Sequence, residues 1–282
     1  MIYIINKPSG ISSFHAVKEL KRILNVKKAG HCGTLDPLAS GMLPICINES
    51  TKFVQYIISN RKKYDVEMML GQSTDSYDIT GKITATKPYS HLTHDDIIAA
   101  IQSFKGVSQQ TPPNFSAIHI NGQRAYQLAR QNKTFELASR QIQIDLIDHI
   151  KVENHCVSFS VICSKGTYIR SLVNDIGNFL NVGATVKTLH RTWVEPFHHQ
   201  KQFDIDSITL SDGISPAILF DETITLDQID IQRLQSGQTH QCEINIPDNT
   251  LIAISNHNNQ FCGICRYQDG ILKPKKMLQH VT

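Results

Sequence analysis

Residues 30–44 have the sequence GHCGTLDPLASGMLP. Three glycines and two prolines interrupt its apolar residues, which predicts a shaped loop and not a helix interior. Asp36 precedes Pro37, so its backbone is biased towards an extended conformation. An unperturbed aspartate is ionised at neutral pH and can act as a nucleophile or base. Taken alone, the Asp-Pro pair is more typical of a turn or a helix start, with Asp36 as the cap.

Apolar patterns flank this loop on both sides. Residues 1–5 predict a first strand, and residues 43–47 predict a buried strand directly after the loop. Between them, Ser12 or Ser13 can cap a helix. We expect its apolar face to consist of Phe14, Val17, Leu20, Ile23 and Leu24.

Two later segments place aromatic and basic residues at the ends of strands. Tyr64 begins an alternating strand; a core aromatic is the simplest interpretation, but three cations precede it and base stacking is also possible. Tyr168 and Arg170 follow a strand over residues 157–163 and open an amphipathic helix that ends near residue 183. Arg170 can pair with a carboxylate through two parallel hydrogen bonds, or it is an ordinary first-turn arginine.

The remaining patterns predict the domain organisation. Thr93 and Asp96 form a capping box before a helix, whereas residues 72–81 and 110–117 predict loops. A second capping box, Thr225 with Gln228, predicts a helix from Leu226 to about Leu234. Short strand patterns follow it, and residues 207–223 have weak periodicity. We therefore expect two domains, 1–222 and 223–282.

Composition excludes several classes of protein. The 282 residues are 40% hydrophobic and 19% charged, which is typical of a globular protein. The formal net charge of +3 is compatible with a nucleic-acid partner but does not require one. Basic residues cluster at residues 18–28, 61–63 and 273–276. No signal peptide or apolar run near 18 residues is evident, so a cytoplasmic protein with no membrane anchor is expected.

The cysteines suggest a reducing compartment. There are seven, an odd number, without disulfide-like spacing. Cys262 and Cys265 could join His240 and Cys242 as zinc ligands, but a single C-x-x-C pair is weak evidence and the segment also fits a short strand. We predict no metal site, and no motif for a redox or phosphate-bearing cofactor is evident, so no cofactor is expected.

In order along the chain, the motifs closely resemble those of the bacterial tRNA pseudouridine synthase B family. The resemblance covers about residues 1–197, and the pair of runs LDPLA and KGTYIR is highly specific. A weaker resemblance relates residues 270–278, GILKPKKML, to the small PUA-type RNA-binding barrel. The motifs that carry the main resemblance are Lys7-Pro8-x-Gly10, residues 30–39, Tyr64, Thr74-Asp75-x-x-Asp78, Gln110-x-Pro112-Pro113-x-x-Ser116-Ala117 and residues 163–170.

The resemblance implies a fold, a reaction and a set of roles. The fold would be α+β, with a mixed, largely antiparallel sheet flanked by helices and a small β-rich PUA-like domain behind it. The reaction would isomerise uridine 55 in the T loop of tRNA to pseudouridine, without a cofactor, after the base leaves its stack. The chain would act on the T arm as a monomer. Asp36 would be the catalytic nucleophile; the substrate-binding residues would be His31, Tyr64, Tyr168, Arg170 and Leu189, and the RNA-binding residues Lys7 and Lys165.

The sequence departs from the family's usual residues at five positions, and these departures lower the positive charge of the expected cleft: Cys32, His119, His190, Trp193 and Glu195. Two other functions compete with the one implied. One is a tRNA-binding protein or RNA-folding chaperone without activity. The other is a hydrolase of glycosidic bonds, which requires a second carboxylate near Asp36, for which Asp75 and Asp78 are the candidates.

Overall fold

The computed structural model describes residues 1–58, 60–131 and 133–279. The helices are α1 Ser13–Ile23, α2 Val54–Ile58, α3 His94–Ser103, α4 Ala125–Arg130, α5 Ile169–Phe179 and α6 Gln228–Gln235. The strands are β1 Ile2–Lys7, β2 Ala29–His31, β3 Ser40–Ile47, β4 Lys62–Leu70, β5 Gln72–Thr74, β6 Ile83–Thr86, β7 Gly106–Gln110, β8 His119–Ile120, β9 Gln123–Arg124, β10 Arg140–Glu153, β11 Cys156–Cys163, β12 Ala184–Val194, β13 Glu222–Thr225, β14 His240–Gln241, β15 Leu251–Ser255, β16 Phe261–Gln268 and β17 Ile271–Met277.

An eight-stranded sheet forms the centre of the larger part of the chain. Its order is β1-β3-β12-β4-β11-β10-β7, with β2 paired to β3. Strands β3 and β12 run parallel, and the other neighbours are antiparallel. The expected mixed, largely antiparallel sheet is therefore confirmed.

Helices α1, α3 and α5 cover one face of this sheet, where they share the main hydrophobic core with alternate residues of the strands. Ser12 caps α1 by accepting a hydrogen bond from the His15 backbone, as the sequence predicted. The apolar face of α1 was only partly right, because Phe14 is 75% exposed. The buried residues of α1 are instead Ser13, Ala16, Val17 and Leu20, and the Ser13 hydroxyl bonds to the backbone of Leu35.

One row across the sheet positions the functional residues. Lys7 of β1 is in register with Gly41 of β3, Gly41 with Arg191 of β12, Arg191 with Tyr64 of β4, and Tyr64 with Val161 of β11. Gly41 has φ +101°, and a Cβ there would lie 2.3 Å from the Arg191 carbonyl oxygen. Only glycine therefore allows β12 to approach β3 so closely at this point.

Residues 72–81, predicted as a loop, contain more structure than expected. Strand β5 pairs with β6, and only the turn between them lacks regular structure. The capping box at Thr93 and Asp96 is confirmed at the start of α3.

A second sheet of five strands, in the order β13-β15-β16-β17-β14, forms the β-rich C-terminal part. The predicted capping box at Thr225 and Gln228 is wrong. Thr225 belongs to β13, which pairs with β15, and Asp227 caps α6 instead. Cys262 and Cys265 lie in the core under this sheet, and within the part of the chain that the structure describes no group of three or more His, Cys, Asp or Glu side chains could hold a metal ion.

Aromatic rings connect the second sheet to the first part of the chain. The ring centroids of Phe53 and Phe261 of β16 are 5.1 Å apart, and the neighbouring rings of Tyr56 and Phe220, which both precede β13, have centroids 5.3 Å apart. Both pairs are edge-to-face, the arrangement that aromatic rings prefer. Across residues 1–58, 60–131 and 133–279, no helix has the length and apolar character needed to cross a membrane.

Candidate active site

The loop that carries Asp36 connects β2 to β3 and is held from one side by the segment that leads into α1. The Ser13 hydroxyl lies 2.8 Å from both the backbone nitrogen and the carbonyl oxygen of Leu35. The backbone nitrogen of Gly10 donates to the Pro37 carbonyl, and the Ser9 hydroxyl donates to the Leu38 carbonyl. These bonds fix the backbone on each side of Asp36.

Asp36 begins a turn, because its carbonyl accepts a hydrogen bond from the Ala39 backbone. Its side chain is directed to Arg170, whose Nε lies 2.8 Å from Asp36 Oδ2. The side chain of Asp36 is 34% exposed, whereas that of Arg170 is only 5% exposed. One hydrogen bond joins them, not the two parallel bonds that the sequence allowed.

Arg170 has further partners that fix its guanidinium. One terminal nitrogen donates to the Ser76 carbonyl at 2.7 Å, and the other donates to the Phe115 carbonyl at 2.8 Å. Arg170 Nε also lies 3.8 Å from Oδ2 of Asp78. Buried arginine is well suited to such fixed, planar hydrogen bonding, and Arg170 is therefore pre-positioned before any substrate binds.

Asp78 is the second carboxylate of the site. It is buried, and its Oδ1 accepts hydrogen bonds from the Ser76 hydroxyl and from the backbone and hydroxyl of Thr80. Asp75, in contrast, accepts from the Lys82 backbone in its own turn. Of the two carboxylates considered for a hydrolase, only Asp78 contacts the Asp36–Arg170 pair among the described residues.

Tyr64 and Leu189 line the same face of the sheet. Both are 7% exposed and belong to the main core. Tyr64 of β4 is in register with Arg191 of β12, and Leu189 of β12 is in register with Val66 of β4. Burial raises the pKa of the Tyr64 hydroxyl, and the nearby guanidinium of Arg191 opposes this shift. Tyr64 is therefore a neutral phenol at physiological pH.

Arg191 is almost fully buried and holds the wall of the site. Its Nε donates to the Met42 carbonyl at 2.7 Å, and a terminal nitrogen donates to the Gly33 carbonyl at 3.2 Å. Both acceptors belong to the segment that contains Asp36. Arg191 thus ties β12 to the loop at a second point, in addition to Ser13.

Tyr168 is the N-cap residue of α5, and its backbone is bound by one side chain. The Gln110 amide oxygen accepts from the Tyr168 backbone nitrogen at 2.8 Å, and the Gln110 amide nitrogen donates to the Tyr168 carbonyl at 3.0 Å. The guanidinium carbon of Arg140 lies 4.5 Å from the centre of the Tyr168 ring. Main chain and ring are therefore both held.

His31 is the last residue of β2, and its Nδ1 is buried without a hydrogen-bond partner among the described residues. Burial is the main cause that lowers the pKa of His31, and the positive charges of Arg191 and Arg124 lower it further. His31 is therefore neutral at pH 7.

The two lysines predicted to bind RNA differ in position. Lys165 is exposed in the loop between β11 and α5. Lys7 is fully buried, and its ammonium donates to the carbonyls of Pro8 and Ile11. Burial lowers the pKa of Lys7 to about 8, although the charge of Asp36 opposes this. A phosphate contact by Lys7 would require the turn at residues 8–11 to open.

Sequence reasoning missed the supporting contacts of three residues: Asp78 beside Arg170, Gln110 on Tyr168, and Arg191 on the Asp36 loop. It had considered Asp78 only as a second carboxylate for a hydrolase. Asp78 and Gln110 lie in quoted motifs, and Arg191 follows Leu189 by two residues in β12. That spacing is the available signal, since alternate strand residues share a face of the sheet. Lys62, counted in a basic cluster, is also buried, and its ammonium donates to the carbonyls of Ile58 and Asn60.

Comparisons with known proteins show the family of the chain. A family model described as "TruB family pseudouridylate synthase (N terminal domain)" matches residues 21–169, and one described as "tRNA pseudouridylate synthase B C-terminal domain" matches residues 170–214. The chain is similar to proteins named tRNA pseudouridine synthase B. It is 38% identical to one from Clostridium perfringens (strain SM101 / Type A) over 97% of both chains, and 34% identical to one from Shewanella amazonensis over 98% of this chain and 94% of that protein.

Two solved structures resemble the fold. A structure described as an H/ACA RNP bound to a substrate RNA containing 2′-deoxyuridine matches 99% of this chain and 85% of that chain, with a TM-score of 0.69 and 22% identity. A Cbf5-Nop10-Gar1 complex matches 99% of this chain and 81% of that chain, with a TM-score of 0.64 and 25% identity. At 22% identity, the first of these supports the fold alone.

Proposed function

The chain belongs to the TruB family of pseudouridylate synthases and isomerises a uridine of tRNA to pseudouridine, and on this premise we propose that its target is uridine 55 in the T loop and that Asp36 is the catalytic residue. The relatives of similar length are named tRNA pseudouridine synthase B, and the motif resemblance extends through residues 1–197. The T loop as the target rests on that resemblance.

The observation that carries the role of Asp36 is its contact with Arg170. A carboxylate that is one-third exposed is held by a buried guanidinium at 2.8 Å, on a loop fixed by Ser13 and Arg191. The fixed charge and geometry present an anionic oxygen to a base or sugar placed over the loop. Isomerisation breaks the glycosidic bond, turns the base and forms a carbon–carbon bond, so it needs no cofactor.

The surrounding residues suit a flipped uracil. A base inside the folded T arm must leave its stack, which costs a few kcal/mol that pocket contacts offset. We assign Tyr64 to stacking on the uracil, Tyr168 to supporting it, and Leu189 to packing beside it. Neutral His31, with its unpartnered Nδ1, is assigned to the flipped nucleotide or the space that it leaves.

The lysines receive different roles. Lys165 is exposed and is assigned to a phosphate of the RNA. Lys7 is assigned to the shape of the 8–11 turn that supports the Asp36 loop, because its ammonium is bound to two carbonyls of that turn.

We also propose the division into a catalytic domain, residues 1–222, and a PUA-like RNA-binding domain, residues 223–282. The second sheet begins at Glu222, and one of its buried hydrophobic clusters consists entirely of residues within 224–277. We further propose that the chain acts as a monomer. Cytoplasmic tRNA is the expected substrate.

Tritium release from transcribed tRNA that carries 5-³H-uridine tests this proposal. The wild type is expected to release tritium, because the C5–H bond is lost when pseudouridine forms, and a transcript with cytidine at position 55 is expected to abolish the release. Asp36→Asn should release none while it still binds tRNA, since the amide has nearly the same shape without the charge. Asp75→Asn is the matched control and should remain active, because the Asp75 carboxylate accepts from the Lys82 backbone in its own turn and, among the described residues, forms no ion pair with Arg170.

Release from the position-55 variant would refute the T loop as the target, and activity in Asp36→Asn would refute the catalytic role of Asp36. Binding by the wild type without release would instead favour a tRNA-binding or RNA-folding role.

A further inference from the structure

Arg140, the first residue of β10, is the feature of the cleft that the proposed roles leave unexplained. Its guanidinium lies over the ring of Tyr168, with 4.5 Å between the guanidinium carbon and the ring centre. The residue is half-buried, and its Nε is buried without an acceptor among the described residues. No carboxylate of the described chain forms an ion pair with it.

The other two arginines of the cleft differ in this respect. Arg170 has a carboxylate and two carbonyls, and Arg191 has two carbonyls. A partly buried cation without an anionic partner is unfavourable, and a guanidinium matches the geometry of phosphate. The contrast indicates that the partner of Arg140 is an anion supplied by the substrate.

A glycine backbone and a second cation lie beside Arg140. Gly166 has φ +83°, and a Cβ there would lie 3.5 Å from Arg140 Nε, so the loop backbone packs directly against the guanidinium. The preceding residue, Lys165, is exposed in the same loop and provides a second cation. The loop residue Lys165 and the strand residue Arg140 therefore place two positive charges beside the backbone of Gly166.

We propose that Arg140 binds a phosphate of the RNA at the target nucleotide or its immediate neighbour, and that its contact with Tyr168 links this phosphate to the position of the aromatic ring. The proposal rests on the proposed function, because Tyr168 is assigned there to the flipped base. Arg140 touches that ring, so the phosphate within its reach belongs to nucleotides close to the base.

The neighbouring strand strengthens the link. Arg140 is in register with Gln110, and Gln110 holds the backbone of Tyr168 through both groups of its amide. One strand pair thus holds the backbone of Tyr168 with an uncharged side chain and its ring with a charged one. Of these two side chains, only Arg140 can attract a phosphate through its charge.

Two variants separate the charge from the ring contact: Arg140→Met removes both, and Arg140→Lys keeps the charge but loses the planar guanidinium. The equilibrium constant for tRNA binding is measured against salt concentration, and the rate of tritium release is measured with enzyme in excess. For Arg140→Met, we expect about tenfold weaker binding at low salt. The slope of log K against log salt should be shallower by about 0.7–0.9, the value for one phosphate contact.

For Arg140→Lys, the wild-type slope should remain, while the release rate falls about two- to fivefold because an ammonium cannot stack flat on the Tyr168 ring as a guanidinium does. Lys187→Met, which removes a cation paired with Glu67 of β4 outside the basic clusters, is the control and should change neither quantity. A wild-type slope in Arg140→Met would overturn the phosphate contact, and an unchanged release rate in Arg140→Lys would overturn the link to Tyr168.

These outcomes are distinct from failure of the proposed function. Absence of tritium release by the wild type refutes the proposed function. The salt slope is obtained from binding alone, so it tests the phosphate contact whether or not isomerisation is observed.

Discussion

Our first prediction concerns Gln110, whose side-chain amide binds the backbone of Tyr168 in a single orientation. The side chain is 3% exposed, and it both accepts from the backbone nitrogen and donates to the carbonyl of Tyr168. The Tyr168 carbonyl has a second donor, the Leu172 backbone of α5, whereas no second partner is seen for the Tyr168 nitrogen among the described residues. Replacing Gln110 therefore leaves a backbone donor unsatisfied.

The two substitutions Gln110→Leu and Gln110→Glu are expected to behave differently with pH. Gln110→Leu loses both hydrogen bonds, which lowers the free energy of unfolding by about 2 kcal/mol at every pH. In the catalytic part of the chain this corresponds to a melting temperature about 4–8 °C lower.

Gln110→Glu has nearly the same shape, and its neutral carboxyl can still donate to the Tyr168 carbonyl. Its ionised form cannot, so folding raises the pKa of the new carboxyl. The folded state then binds its proton more strongly than the unfolded state, and stability is lost as pH rises through the raised pKa. The variant should be close to the wild type near pH 4 and approach the loss of Gln110→Leu, about 2 kcal/mol, by pH 8.

Thermal unfolding by circular dichroism at pH 4.5, 6 and 8 measures these differences, each relative to the wild type at the same pH. Gln109→Glu is the matched control, because Gln109 is exposed on the same strand. Equal, pH-independent changes in Gln110→Glu and Gln109→Glu would show that the amide does not hold Tyr168 in this way.

Two further predictions concern the support of the Asp36 loop. Ser13→Ala should lower the free energy of unfolding by about 1–3 kcal/mol, because the buried Leu35 nitrogen loses its partner. It should also lower kcat with little change in tRNA affinity. Ser9→Ala, which loses an exposed contact, is the control and should change stability and kcat little. Lys7 has its pKa lowered to about 8 by burial, so between pH 8 and 10.5 the unfolded state binds more protons and stability rises with pH. Urea unfolding of the wild type relative to Lys7→Met should show a gain of about 3 kcal/mol across this range, and a constant difference would show that the Lys7 ammonium is not penalised by burial.

The parts of the fold that were predictable depend on contacts close in sequence. The Thr93 capping box and the amphipathic helix after Tyr168 are confirmed, because a cap and an apolar face are set by residues three or four positions apart. The box at Thr225 failed since pairing with the distant strand β15 draws Thr225 into β13. Phe14 failed for a similar reason, because the Ser13 contact with Leu35 sets the rotation of α1.

The site shows the same division. The sequence indicated Asp36 and Arg170 as partners only through the family resemblance, and the structure brings them together at 2.8 Å. The carbonyls of Ser76 and Phe115 that fix Arg170 could not be predicted, because a carbonyl is common to all residues and its direction depends on the fold. Lys62 shows the opposite case, since a charge run suggested a solvated surface and folding buried it against carbonyls.

Buried polar atoms distinguish two kinds of residue in the cleft. Those with protein partners shape the cleft, and those without such partners are available to bind a ligand. Native proteins leave few such atoms, and each requires an explanation. Two of those in the described chain are His31 Nδ1, next to the loop that carries Asp36, and Arg140 Nε, beside the ring of Tyr168. Arg170 and Arg191, in contrast, use their nitrogens on protein carbonyls and on Asp36. Substitution of Arg170 or Arg191 should therefore disturb the shape of the Asp36 loop. Substitution of His31 or Arg140 should weaken only the contacts made with the RNA.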